Sequence, residues 1–242
     1  MPDRPPASDV PDVPDAPDRS PHPGDVVPGG PSVVRRWPEL AVRKASVSAQ
    51  DNNAYLITCR RSGAQLLVDA ADDVPRCLRL AEEGAQDGGH GVELVVTTHR
   101  HWDHHRALAG VLAATGARSA GGHADADHLP VSPDLVLMHG ETIAVGELRI
   151  AVIGLRGHTP GGIALALHSS DQRLHLFSGD SLFPGGPGRT TSPEDFAQLM
   201  DDLEERVFDV LPGTTWLYPG HGRDSTLGVE RPHLAEWRAR GW

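Results

Sequence analysis

Thr98-His99-Arg100-His101-Trp102-Asp103-His104 places three histidines and an aspartate within residues 99–104, directly after the apolar run Leu94–Thr98 (LVVTT). On a loop, alternate side chains can converge on one point while their neighbours turn toward a second. Imidazole nitrogen and carboxylate oxygen together suit zinc, and also iron or manganese. Three further pieces follow in order: Gly157-His158-Thr159-Pro160-Gly161-Gly162, Ser178-Gly179-Asp180 and Pro219-Gly220-His221-Gly222. The aspartate and the last histidine each come just after a short apolar run, Leu174–Phe177 and Thr215–Tyr218. His158 lies in a glycine-bounded loop between two strand-like runs. Strand ends are rigid, and glycines let backbone approach a site closely. A lone histidine after a strand is usually a surface residue. Several such ends carrying His or Asp fit one rim of a sandwich converging on a cleft.

The rest of the chain supplies the frame. Ala54–Cys59 (AYLITC) and Gln65–Ala70 (QLLVDA) read as strands joined by a hairpin loop at 60–64, which contains Gly63. Val74–Gly84 and His104–Thr115 read as helices, the second ended by Gly116. Strand-like runs recur at Glu147–Leu155, Ile163–His168 and Leu174–Phe177. A long amphipathic helix is predicted over Pro193–Leu211, capped by Ser192. Strands mixed with amphipathic helices predict two sheets, or one large mixed sheet, covered by helices.

Residues 1–31 differ in composition. The run DVPDVPDAPDR is rich in proline and aspartate and cannot bury enough apolar surface to offset ordering entropy. We expect a disordered tail over 1–31 and one catalytic domain over 32–242. The formal charge of −11 argues against a nucleic-acid backbone as the main partner. No apolar stretch is long enough for a membrane span, and the N-terminus lacks the apolar segment of a secretory signal. Cys59 and Cys77 show no CxxC spacing. They are expected to be reduced, buried small hydrophobes in a cytoplasmic protein acting on a small molecule. Nothing in the sequence sets an oligomeric state.

The series HxHxDH, GHTPG, SGD and GHG resembles the metallo-β-lactamase fold, over about residues 40–225. The resemblance implies an α+β, four-layer αββα sandwich with its metal site along one edge. It implies that His99, His101 and His158 bind one metal, that Asp103, His104 and His221 bind a second, and that Asp180 bridges both. The implied cofactors are two divalent ions, zinc foremost, with iron or manganese as alternatives. Asp103 is also the expected catalytic residue, orienting the nucleophile.

Asp180 disfavours antibiotic hydrolysis, because the β-lactam-cleaving branches lack a bridging aspartate. The segment Ser178–Thr190 (SGDSLFPGGPGRT) is similar to the glyoxalase II-like group, which implies a dinuclear hydrolase of a thioester or related ester. Only 21 residues follow His221, so the long helical region that grips glutathione in that group is not expected. The alternatives are a lactonase and a mononuclear-iron persulfide dioxygenase, whose GRTDF signature here reads Gly188-Arg189-Thr190-Thr191-Ser192. Arg189 fits either a substrate carboxylate or a salt bridge. Trp102 fits either a pocket wall or simple packing, and His105 either supports the ligands or lies exposed.

Overall fold

The computed structural model describes residues 24–241, so the expected disorder of residues 1–23 lies outside the described residues. The strands form two large sheets. The first runs in the order β1 (Val33–Arg36), β2 (Leu40–Ser46), β3 (Asn53–Cys59), β4 (Ala64–Val68), β5 (Gly91–Thr97), β6 (Arg118–Gly122) and β7 (Leu135–Leu137). It is antiparallel from β1 to β4 and parallel from β4 to β7. The second comprises β8 (Thr142–Val145), β9 (Leu148–Gly154), β10 (Ile163–His168), β11 (Leu174–Gly179), β14 (Trp216–Pro219) and β15 (Ser225–Thr226). A small hairpin, β12 (Leu182–Phe183) and β13 (Gly186–Pro187), follows β11.

The period-two alternation of each strand divides its side chains between two apolar layers. In β3, Tyr55, Ile57 and Cys59 enter the core between the sheets, while Ala54 and Leu56 face outward. Those outward residues pack beneath helices α1 (Val74–Glu83) and α2 (Leu108–Thr115), through Leu80, Leu108 and Val111. In β10, Ile163, Leu165 and Leu167 face the central core, and Ala164 and Ala166 pack outward against α3 (Pro193–Leu203). The result is the expected αββα sandwich. Two short helices, α4 (Leu227–Glu230) and α5 (Leu234–Arg240), finish the chain, and buried Trp237 of α5 joins the outer core. Among the described residues no helix is long and apolar enough to cross a membrane.

Several boundaries moved, each for a local reason. The helix expected from His104 starts at Leu108, because the Arg106 and Ala107 amides donate to the Ala71 and Ala70 carbonyls instead of an intrahelical ladder. The helix expected over Pro193–Leu211 is α-helical only to Leu203. It then widens into a π-turn over Glu204–Phe208, whose end is held by Arg231 donating to the Phe208 and Leu211 carbonyls. Strands β1 and β2 were not expected from the sequence, where Arg35, Arg36, Arg43 and Lys44 interrupt the apolar pattern. Arg35, Arg43 and Lys44 are buried, and Asp224 and Asp87 neutralise them. Cys59 and Cys77 are both free and buried, and burial pushes the Cys77 thiol up to about 12.

His175 of β11 is fully buried between the Tyr218 hydroxyl and Ser169 Oγ, each 3.0 Å away. Burial drives its pKa down to about 3. The unfolded chain therefore binds a proton below about pH 6.5 that the folded chain refuses. Stability should fall as pH drops from there toward 3, by at most about 1.4 kcal/mol per pH unit from this group. Urea titrations of the metal-free protein against His175→Gln at matched pH should show the steeper decline in the unmutated chain. Parallel declines would refute this role.

Candidate metal centre

The candidate ligands gather at one edge of the sandwich. His99 to His104 follow β5 in the first sheet. His158 follows β9, Asp180 follows β11 and His221 follows β14 in the second. All seven candidates are brought together. Ligand atoms of His99, His101 and His158 lie within 4.8 Å of one another, as do those of Asp103, His104 and His221, and those of His99, His104 and Asp180. The Asp180 carboxylate stands between the two imidazole clusters. Its Oδ2 is 3.7 Å from His158 Nε2 and 3.5 Å from His221 Nε2, and its Oδ1 is 3.3 Å from His104 Nε2.

The imidazoles are oriented from behind. His158 Nδ1 donates to the Arg189 carbonyl at 2.6 Å, His221 Nδ1 to the Gln50 carbonyl at 2.9 Å, and His104 Nδ1 to Asp69 Oδ2 at 2.9 Å. Thr98 Oγ1 donates to Asp69 and so accepts from His99 Nδ1 at 3.1 Å. With Nδ1 carrying the proton, the Nε2 lone pairs of these four rings face inward. His101 turns its Nδ1 inward instead, 3.1 Å from His99 Nε2 and 2.9 Å from His158 Nε2. Nitrogens around a tetrahedral cation at ~2.0–2.1 Å stand roughly 3.3 Å apart, so the donor set fits a divalent metal. Buried Asp180 Oδ1 has no aligned hydrogen-bond donor, which suits a ligand oxygen.

Electrostatics point the same way. Burial would lower the His104 pKa, but Asp180 and Asp69 carry it up to about 10, so the field there favours positive charge. Burial would raise the Asp180 carboxyl, yet the His104 and His221 imidazoles hold it well below the usual carboxylate range. Burial and neighbouring histidines push His99 well down.

Three supporting residues escaped the sequence reading. Asp69 accepts from the Thr98 amide at 2.7 Å and from Thr98 Oγ1 at 2.8 Å, besides His104. It directly follows β4 (Ala64–Val68), so the rule that found the ligands, an acid where a strand stops, could have found it. Asp125 ties the two histidine loops together, accepting from the Arg100 amide, Thr159 Oγ1 and the Gly161 amide. It sits in a 3-10 turn without periodic signal. Asn52 Nδ2 donates to Asp103 Oδ2 at 3.0 Å. Of the residues left open above, His105 is half-buried against the Arg100 carbonyl, supporting the loop. Arg189 is exposed and, among the described residues, makes no ion pair.

Glycine is required where backbone meets the ligands. A Cβ on Gly220 would stand 2.1 Å from Asp180 Oδ1 and 2.7 Å from His104 Cε1. Gly220→Ala should therefore displace Asp180 and lower metal content while leaving a cooperative unfolding transition. Full metal occupancy in that variant, by elemental analysis, would contradict this.

The chain belongs to the metallo-beta-lactamase superfamily, whose sequence model matches residues 48–221. A hydroxyacylglutathione hydrolase of Rhodospirillum rubrum is 33% identical over 171 residues, covering 71% of this chain and 62% of that protein. One from Cereibacter sphaeroides is 37% identical over the same shares. The chain thus spans about 62% of the length of these curated relatives. Among solved structures, ETHE1 from Myxococcus xanthus superposes with a TM-score of 0.68 at 26% identity, covering 82% of this chain and 84% of that one.

Proposed function

We propose that the protein is a dinuclear metal-dependent hydrolase that cleaves a thioester or related ester. The position of Asp180 between two imidazole clusters carries this reading. His99, His101 and His158 would hold one ion, Asp103, His104 and His221 the other, and Asp180 both. Two divalent ions held there, zinc foremost, would supply Lewis acidity toward a carbonyl oxygen and would lower the pKa of water. The similarity to hydroxyacylglutathione hydrolases favours a thioester.

The chain's own residues do the rest. Burial would raise the Asp103 carboxyl, but Asn52 and His104 keep it below the usual carboxylate range, so it stays ionised at neutral pH. One Asp103 oxygen takes the Asn52 amide. The carboxylate can accept a proton from water and aim the attacking oxygen. Asp69 and Asp125 hold the histidine loops from behind, so little reorganisation accompanies substrate arrival.

Elemental analysis of protein purified without added metal, alongside hydrolysis of S-lactoylglutathione and a generic thioester, tests the proposal. About two ions per chain with thioester cleavage is the outcome expected from the ligand set. A single iron with no hydrolysis would overturn it and favour oxidation of a thiol-bound sulfur.

A further inference from the structure

Trp102 lies between two candidate ligands, His101 and Asp103, yet takes no part in holding them. The residue is 58% exposed and belongs to none of the three apolar cores. Filling one of those cores is therefore not its role. The ring is nonetheless held in place. The Arg106 guanidinium stacks over it, 3.4 Å from the ring centroid, and is itself anchored by Asp72 Oδ2 at 2.8 Å. The Arg106 amide is fixed on the Ala71 carbonyl. Backbone on either side of Trp102 is committed to the candidate metal centre. Ordering an arginine against an exposed ring costs side-chain entropy, and a pre-ordered aromatic is what lets a binding surface avoid that cost when a ligand arrives.

The charge is equally informative. Asp72 neutralises Arg106, so the plate is apolar with no net charge to attract an anion. A second aromatic, half-buried Phe183 of β12, stands 6.3 Å from the His221 ring. Aromatic rings thus accompany both the histidine loop of the first sheet and the His221 loop of the second.

We propose that Trp102, braced by Arg106 and Asp72, is a specificity-determining plate that packs against an apolar, preferably planar group adjoining the scissile bond. This rests on the hydrolase reading for the existence of that bond. The group can belong to the acyl part or to the thiol, and two substrate series separate these sources. One compares S-phenylacetyl with S-acetyl-N-acetylcysteamine. The other compares S-acetyl benzyl mercaptan with S-acetyl-N-acetylcysteamine.

In Trp102→Ala, the kcat/KM preference for the aromatic member should fall by roughly five- to tenfold in one series, mainly through KM. Trp102→Phe should retain most of it, and Arg106→Ala should lose part by freeing the ring. Preferences within twofold of the unmutated protein in both series would overturn the proposal. A readout without turnover keeps the two readings separate: the indole N–H resonance of Trp102, assigned by its loss in Trp102→Phe, followed during titration with the thioether S-(2-phenylethyl)-N-acetylcysteamine. If no thioester is hydrolysed, the hydrolase reading fails. A Trp102 resonance that moves with the thioether then still supports the plate, and one that stays put overturns it.

Discussion

Replacing Asp180 by asparagine should strip the site of metal while leaving the sandwich folded. The substitution keeps the volume and removes the charge. Among the described residues it takes away the one carboxylate that faces His104, His158 and His221 together. Loss of a residue that merely orients a ligand typically costs about 10–100-fold in metal affinity. A carboxylate shared by both ions should cost more than the upper end of that range. Metal content and thioester cleavage should fall together, and the apo protein should unfold with unchanged cooperativity. A variant that keeps about two ions per chain would show that Asp180 is not shared.

The second large effect is on stability. Asp224 is 1% exposed at its side chain and holds two buried cations, Arg35 at 2.6 Å through one oxygen and Lys44 at 2.8 Å through the other. Asp224→Ala leaves both without that carboxylate, and breaking such a buried pair by removing one partner costs about 3–5 kcal/mol. Lys44 also donates to the Gly222 carbonyl, beside His221, so the damage should reach the metal centre as weaker binding. Chemical denaturation measures the first effect and metal titration the second. A loss below about 1 kcal/mol would mean that solvent reaches the cluster, as at an exposed ion pair.

The candidate site was legible because its residues are of rare types at strand ends. Histidine and aspartate at strand ends, four times in order and beside glycine in the last three, carry the pattern without knowledge of any contact. Legibility failed where a residue's role depended on a distant partner. Arg43 and Lys44 break the apolar pattern of β2, and only Asp87 and Asp224, far along the chain, explain their burial there. Helix α2 could not be started correctly from periodicity, because its competitors for hydrogen bonds lie in residues 70 and 71. Asp125 acts through three partners on two loops, a relation that no local spacing encodes.

The candidate ligands are contributed unequally by the two sheets: His99 to His104 by the first, His158, Asp180 and His221 by the second. Across that seam the edge is otherwise joined by side chains reaching over, such as Tyr55 to the Pro219 carbonyl at 2.7 Å and Asn53 to the Gly222 carbonyl at 3.0 Å. An ion held by both sets of residues would act as a clasp on the mouth of the sandwich. Loading and folding are then thermodynamically linked, because whatever binds only the closed form raises its stability in proportion to the logarithm of its concentration. The supply of metal would then set the protein's stability as well as the loading of the site.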